Sequence, residues 1–212
     1  MNGGPTVFIV DDDPSVLTSL GRLVRSAGYR AATFGSAQAF LGHACDDAPA
    51  CLVLDVHLPE LGGLELQQSL SAVGNRLPII FLTGYGDIPM SVRAIKAGAV
   101  DFLTKPCDEQ DLLAAIGQAI ANDLDARQAR AETARIQCLF ATLTPRERQV
   151  LALVAAGRLN KQIAAELGTC EQTVKVHRSR VMYKLRVKSL AELVRLAEKA
   201  GIFPAAAAKP LD

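Results

Sequence analysis

Cys51-Leu52-Val53-Leu54-Asp55-Val56-His57-Leu58-Pro59 is the stretch on which the fold turns. Four apolar residues without alternation read as a short strand covered on both faces, the pattern of a parallel sheet rather than of a half-solvated antiparallel one. The run stops at a carboxylate, Asp55. A lone Asp after a strand is more often a turn residue or a helix N-cap than a reactive group, so its meaning depends on what the other strands end in.

Working outward, Thr6 to Val10 ends in Asp11-Asp12-Asp13, Pro78 to Leu82 ends in Thr83-Gly84, and Val100 to Leu103 leads to Lys105-Pro106. An amphipathic stretch follows each run: Pro14 to Ala27, Leu64 to Ala72, Ile88 to Ala97 and Asp108 to Ile120. This βα repetition predicts a doubly wound α/β domain of five parallel strands and five helices, with Arg30 to Phe34 as a weaker edge strand. In such folds functional groups collect at the carboxyl ends of the strands, which brings Asp11, Asp12, Asp55, Thr83 and Lys105 to one edge. Clustered carboxylates raise one another's pKa unless a cation lies among them, which points to a hard, oxygen-preferring ion such as Mg²⁺. An Asp oxygen as nucleophile, a metal, a Lys and a Thr hydroxyl together suit phosphoryl transfer, and the small Gly84 leaves room for the phosphoryl group.

Charge divides the chain near Asn122. Residues 1–122 hold 7 Lys/Arg against 13 Asp/Glu, a net of −6, and residues 123–212 hold 16 against 9, a net of +7. An acidic part able to concentrate divalent cations and a basic part able to meet a polyanion have different partners. The expected division is a phosphoacceptor domain at 1–122, a helical linker at 123–138, a helical DNA-binding domain at 139–204 and a frayed tail at 205–212. The linker reading rests on Asp123 four residues before Arg127, on Glu132 three before Arg135, and on the absence of Gly or Pro between Ala119 and Leu143.

Beyond Leu143 the pattern is all helical. Thr144-Pro145-Arg146-Glu147 reads as a capping box with Pro at the first helical position, and Gly157 closes that helix. Asn160 to Leu167 forms a second helix, Gly168-Thr169-Cys170 a tight turn, and Glu171 to Leu185 a third. Ser189-Leu190-Ala191-Glu192 reads as a second capping box, opening a last helix that ends near Gly201. On the third helix Val174, Val181 and Leu185 share an inward stripe, which leaves Gln172, Lys175, Val176 and Ser179 outward. Between Glu171 and Lys188 lie Lys175, Arg178, Arg180, Lys184, Arg186 and Lys188 against the single acid Glu171. A solvated basic face is the plain reading, and the outward stripe on a helix after a Gly turn favours a recognition helix for the major groove.

The five cysteines, Cys45, Cys51, Cys107, Cys138 and Cys170, form neither a CxxC pair nor a secreted-scaffold framework and read as ordinary thiols. No apolar run approaches the roughly 20 residues of a membrane span, so a soluble, cytoplasmic protein without a membrane partner is expected.

Over residues 6 to 121 the chain resembles the receiver domain of two-component response regulators. The matching pieces are Val10-Asp11-Asp12-Asp13, Leu54 to Pro59, Thr83-Gly84-Tyr85-Gly86-Asp87, Ala97 to Phe102, and Leu103-Thr104-Lys105-Pro106. The resemblance implies a flavodoxin-like fold with Asp55 as phosphoacceptor. Asp12 becomes a direct Mg²⁺ ligand, Asp11 a ligand largely through water, and the His57 backbone carbonyl a further ligand. Lys105 would bind phosphoryl oxygens, Thr83 would move to do the same, and Phe102 would turn inward behind Thr83. His57 departs from the more usual residue at its position, and its side chain is expected to alter acyl-phosphate hydrolysis.

Residues 143 to 201 resemble the helix-turn-helix of the LuxR, NarL and FixJ type. The pieces are Leu143 to Glu147, Asn160-Lys161-Gln162-Ile163-Ala164, Thr173-Val174-Lys175-Val176-His177-Arg178 and Lys184-Leu185. By that resemblance Lys175, Val176 and Ser179 read bases, with Lys161, Thr173, His177 and Arg180 nearer phosphates. Gly86-Asp87-Ile88-Pro89-Met90 places the chain closest to the FixJ-like subgroup. The implied protein is a transcription factor and not an enzyme. A partner histidine kinase phosphorylates Asp55, promoter DNA and RNA polymerase are partners, and phosphorylation promotes a homodimer or frees the DNA-binding domain. A haloacid dehalogenase phosphatase, reading Asp-x-Asp in Asp11 and Asp13, leaves Asp55 idle and the basic half without a task. A constitutive DNA binder on the same fold leaves the carboxylate pocket without a task.

Overall fold

The computed structural model describes residues 4–43, 48–84 and 88–199. Its contacts divide the chain into two compact units, with the boundary in the sequence between Arg127 and Gln128.

The first unit alternates β1 (Thr6–Val10), α1 (Pro14–Ser26), β2 (Arg30–Phe34), α2 (Ala37–Leu41), β3 (Ala50–Leu54), α3 (Gly63–Ala72), β4 (Ile79–Thr83), α4 (Ile88–Lys96), β5 (Asp101–Thr104) and the start of α5 (Glu109–Ala141). The five strands form one parallel sheet in the order β2-β1-β3-β4-β5. Every residue of the inner strands β1, β3 and β4 is buried, as their unbroken apolar runs require, whereas the edge strands β2 and β5 are partly exposed. Alternate side chains of β1 enter different cores. Phe8 and Val10 join Leu52, Leu54 and Phe81 on one face, and Val7 and Ile9 join Val53, Ile80 and Ile116 on the other. Burial of side chains this large contributes about 1.5–3 kcal/mol each.

The register sets the functional edge. Val10 pairs with Leu54, Leu54 with Phe81, and Thr83 with Thr104. Asp11, Asp55 and Lys105 each lie one residue beyond a paired row. The ladder continues through them, with the Asp11 N–H donating to the Phe34 carbonyl (3.2 Å), that of Asp55 to Val10 (2.9 Å) and that of Lys105 to Thr83 (2.7 Å).

Helix α5 is a single element of 33 residues. Near its middle, buried Asp123 accepts the Ala50 N–H at 2.9 Å and pairs with Arg127 at 2.6 Å, so it is tied to the first residue of β3. Glu132 and Arg135 pair at 3.5 Å on the exposed stretch that follows. Ile136 and Phe140, farther on, are buried in the second unit's core.

The second unit continues with α6 (Pro145–Ala155), α7 (Asn160–Glu166), α8 (Glu171–Leu185) and α9 (Leu190–Lys199) around Val150, Ile163, Val174, Val181, Leu185 and Leu193. The Thr144 box is complete, because Thr144 Oγ1 accepts the Glu147 N–H at 3.3 Å while Glu147 Oε2 accepts the Thr144 N–H at 2.9 Å. Gly157 and Gly168 take positive φ, 75° and 61°, where the chain must reverse after α6 and α7. The second box closes differently from the sequence expectation. Ser189 Oγ accepts the Glu192 N–H at 3.2 Å, but Glu192 Oε2 takes the N–H of Lys188, one residue earlier, at 2.7 Å. The tail at 205–212, Gly201, Cys45 and Tyr85-Gly86-Asp87 lie outside the described residues.

Candidate functional site

Asp11 and Asp55 are both buried at the carboxyl edge of the sheet, and the Lys105 ammonium bridges them, 2.5 Å from Asp11 Oδ2 and 2.7 Å from Asp55 Oδ2. Asp12 is exposed beside them, and one carboxylate oxygen from each of Asp11, Asp12 and Asp55 falls within a 4.8 Å group. Burial pushes the Asp11 carboxyl above its ordinary value, and the hydrogen bond from Lys105 only partly offsets this. Desolvation works to lower the Lys105 pKa, but hydrogen bonds to Asp11 and Asp55 outweigh it and hold the ammonium above its usual range. One ammonium against three carboxylates leaves an all-oxygen, net anionic cluster, the donor set a hard divalent cation takes.

The neighbouring backbone orients these groups. Asp55 Oδ1 accepts the His57 N–H at 3.0 Å, and Asp11 Oδ1 accepts the Asp13 N–H at 3.0 Å. Asp13 itself faces away to cap α1, accepting the Ser15 N–H at 2.8 Å and the Ser15 hydroxyl at 2.7 Å. Asp55 caps no helix, since the N-cap of α3 is Gly62, and the carboxylate that gathers with Asp11 and Asp55 is that of Asp12 rather than Asp13. Thr83 is fully buried at the end of β4. Among the described residues, a Cβ added to Gly84 would meet nothing within 4 Å. The half-buried Phe102 ring stacks obliquely on Phe81 with centroids 6.2 Å apart.

One residue of this site escaped the sequence reading. A Cβ on Gly63 would lie 2.2 Å from the Asp55 carbonyl oxygen and 3.0 Å from Val56 Cα. Only glycine lets α3 start this close to the end of β3, and the Gly63 N–H uses the approach to donate to the Val56 carbonyl at 3.0 Å. The Gly62-Gly63 doublet shortly after Pro59 was the available signal.

In the second unit α8 buries Val174, Val181 and Leu185 and exposes Gln172, Lys175, Val176, Ser179 and Arg180. Thr173 and His177 are half-buried on its flank, and Lys161 is exposed on α7. Not every basic residue of this stretch is available to a polyanion. Lys184 Nζ pairs with buried Glu147 at 2.6 Å, and Arg178 Nη1 donates to Asn160 Oδ1 at 2.7 Å, tying α8 to α6 and α7. Lys175, Arg180, Arg186 and Lys188 remain as the exposed basic set. Of the helix Leu190–Lys199, Leu193 and Ala197 are buried in the domain's own core, while Leu190 is left 42% exposed.

The four described cysteines are unbridged. Burial pushes the Cys51 thiol up to about 12, which leaves it inert.

Residues 7–117 match the response regulator receiver domain, and residues 141–197 match the luxR family of bacterial regulatory proteins. The chain is a response regulator of the receiver–LuxR type. It is 51% identical to Nodulation protein W of Bradyrhizobium diazoefficiens over 196 residues, which cover 92% of this chain and 86% of that protein. It is 42% identical to Transcriptional regulatory protein FixJ of the same species, across 92% of this chain and 96% of the relative. Among solved structures, the response regulator StyR matches with a TM-score of 0.85 and 52% identity over 93% of this chain and 100% of that one. Full-length FixJ from B. japonicum matches with a TM-score of 0.55 and 41% identity over 94% and 98%. This response regulator is accordingly a phosphorylation-controlled, DNA-binding transcription regulator built from a five-stranded receiver and a helix-turn-helix domain.

Proposed function

We propose that Asp55 is the phosphoacceptor of this regulator and that a partner sensor histidine kinase is the donor. The bridging of Asp55 and Asp11 by Lys105 carries the reading, since it sets a nucleophilic oxygen and a phosphoryl-binding cation side by side. An Asp55 carboxylate oxygen attacks phosphorus, the P–N bond to the kinase imidazole breaks with its electron pair going to nitrogen, and the imidazole, already protonated on its other ring nitrogen, leaves as the neutral ring. Lys105 follows the transferred oxygens, the Thr83 hydroxyl reaches them through the space beside Gly84, and Phe102 turns into the volume behind Thr83. Mg²⁺ held by Asp12, Asp55, the His57 carbonyl and, largely through water, Asp11 would supply the charge that neutralises the phosphoryl oxygens. The phosphorylated receiver forms a homodimer through α4, β5 and α5, or releases the DNA-binding domain, by a shift between two populations.

In this reading Lys175, Val176 and Ser179 meet base edges of promoter DNA, while Lys161, Thr173, His177 and Arg180 lie toward phosphates. RNA polymerase is the onward partner. The protein turns over no substrate and works in the cytoplasm; among the described residues no helix is long and apolar enough to cross a membrane.

The test is the full-length chain with acetyl phosphate and Mg²⁺. The expected result is one added phosphoryl group by mass spectrometry and tighter binding to genomic DNA fragments, both lost in Asp55→Asn. An Asp55→Asn protein that still responds to the phosphodonor overturns the switch, and turnover of a generic phosphate ester overturns the non-enzymatic assignment.

A further inference from the structure

Tyr183, 85% exposed, is the most exposed large apolar residue among the described residues of the second unit, and it sits on α8, the helix proposed to read DNA. An aromatic ring left in water on a structural face is unusual, since rings of this size normally bury most of their area. At about 100° per residue, Gln172, Val176, Ser179 and Tyr183 fall within one narrow stripe of α8, spaced by four, three and four positions. That stripe lies opposite Val174, Val181 and Leu185, all buried. Tyr183 therefore points the same way as the proposed base-reading residues. It is seven residues beyond Val176, which is about 10 Å along the axis at about 1.5 Å per residue.

A separation of that size approaches the roughly 12 Å width of the major groove. With the amino-terminal part of the stripe over base edges, its carboxyl-terminal part arrives at the sugar-phosphate rim. The surroundings match that destination in charge. Exposed Arg180 precedes Tyr183 by three residues, exposed Arg186 follows by three, and Lys188 lies just beyond. Lys184 is the exception, held inward by Glu147. Ser179, between Val176 and Tyr183, is too short to cover the ring.

We propose that Tyr183 is a further DNA contact of this regulator, donating its phenolic hydroxyl to a phosphate oxygen at the groove rim and so fixing the position of α8. The inference rests on α8 being the DNA reader, as proposed above. A neutral donor to a charged oxygen supplies affinity without displacing a counterion. It contributes equally on every sequence, because phosphates carry no base identity.

The test uses the full-length chain treated with acetyl phosphate and Mg²⁺, and two labelled probes: a duplex enriched by the protein from a random-sequence pool, and a mixed-sequence duplex of equal length. Tyr183→Phe is expected to weaken both complexes by a similar factor, on the order of tenfold, with an unchanged slope of log affinity against log salt. Arg180→Ala is expected to lower that slope by about one. Tyr183→Phe keeps the ring, and a thermal midpoint equal to the parent's shows that folding is intact. Parental affinity in Tyr183→Phe, with Lys175→Ala weakened, overturns the Tyr183 contact and leaves α8 as the reader. Parental affinity in both variants overturns the α8 reading and the Tyr183 contact with it. A loss confined to the enriched duplex overturns the phosphate assignment in favour of a base contact. Unchanged DNA affinity with reduced transcription or self-association in Tyr183→Ala overturns it in favour of a protein partner.

Discussion

Glu147 and Lys184 form an ion pair at 2.6 Å, with the Glu147 side chain only 3% exposed. Lys184 Nζ also donates to the Thr142 carbonyl at 3.1 Å, so one ammonium fastens α8 both to α6 and to the end of α5. Truncating the cation leaves a buried carboxylate with only its Thr144 partner. Lys184→Met should destabilise the second unit by about 2–4 kcal/mol, below the full penalty for a buried pair because Lys184 keeps 30% exposure. The hydrogen bond from Lys184 also holds the Glu147 carboxyl below its ordinary value. Its contribution is then fully present above the unfolded carboxylate range and is lost as pH falls through the lower folded value. Denaturant melts across that acidic window should show a fall for the parent that is reduced in Glu147→Gln; superimposable pH profiles would contradict the assignment.

Gly63→Ala tests the approach of α3 to Asp55. The added methyl meets backbone rather than a flexible side chain, so the loop from Asp55 to Gly63 must shift. The expected cost is about 1–3 kcal/mol in the first unit. Phosphorylation by acetyl phosphate should also slow several-fold, because the displaced atoms belong to the phosphoacceptor itself. Parental rates measured by mass spectrometry would separate the glycine's role from the chemistry.

The sheet was legible because each inner strand is an unbroken apolar run, and helix α8 because its inward stripe keeps helical spacing. Parallel pairing then brought Asp11, Asp55, Thr83 and Lys105 to one edge without any knowledge of the loops. What stayed hidden are relationships between distant residues in which each partner already had a plausible local role. Glu147 was explained by its capping box, Lys184 by the basic face and Asp123 by its pairing with Arg127. Their further partners are Lys184, Glu147 and the Ala50 N–H. The second box misled for a related reason: motif spacing fixes which side chain turns back, but not which of two adjacent N–H groups it reaches.

Lys105 occupies the carboxylates that a metal would share. Replacing it with Ala removes a positive charge 2.5–2.7 Å from Asp11 and Asp55. Mg²⁺ should therefore bind several-fold more tightly to Lys105→Ala by calorimetry. Acetyl phosphate should nevertheless phosphorylate it poorly and give little gain in DNA affinity, since no cationic side chain then follows the phosphoryl oxygens and the Thr83 hydroxyl is left to do so alone. Weaker Mg²⁺ binding than the parent's would contradict the competition.

His57 is exposed two residues after Asp55, with its N–H donating to Asp55 Oδ1. The backbone role is independent of the side chain, so His57→Met should accept phosphate normally. The phosphoryl half-life should change, since the imidazole can both donate to and accept from the hydrolytic water, whereas the thioether donates nothing and accepts only weakly. Equal half-lives by mass spectrometry would leave the side chain without a part in dephosphorylation.

Helix α4 carries an apolar stripe that its own domain does not cover. Ile88, Val92 and Ile95 are 80%, 44% and 46% exposed at i, i+4 and i+7, while Ala94 is fully buried and Met90 packs toward the core. A stripe of this kind is stable in water only at a hydrophobic cost, which the second receiver of the proposed phosphorylated dimer would remove by covering it. Val92→Glu places a carboxylate at the centre of the stripe, where dimer formation would have to desolvate it. Because the position is solvent-facing in the monomer, stability and phosphorylation of Asp55 should stay near parental. The phosphate-dependent dimer should weaken roughly tenfold or more, read as sedimentation velocity with and without acetyl phosphate and Mg²⁺. A Val92→Glu protein that is phosphorylated and dimerises like the parent would move the dimer face off α4, leaving release of the DNA-binding domain as the route from Asp55 to DNA.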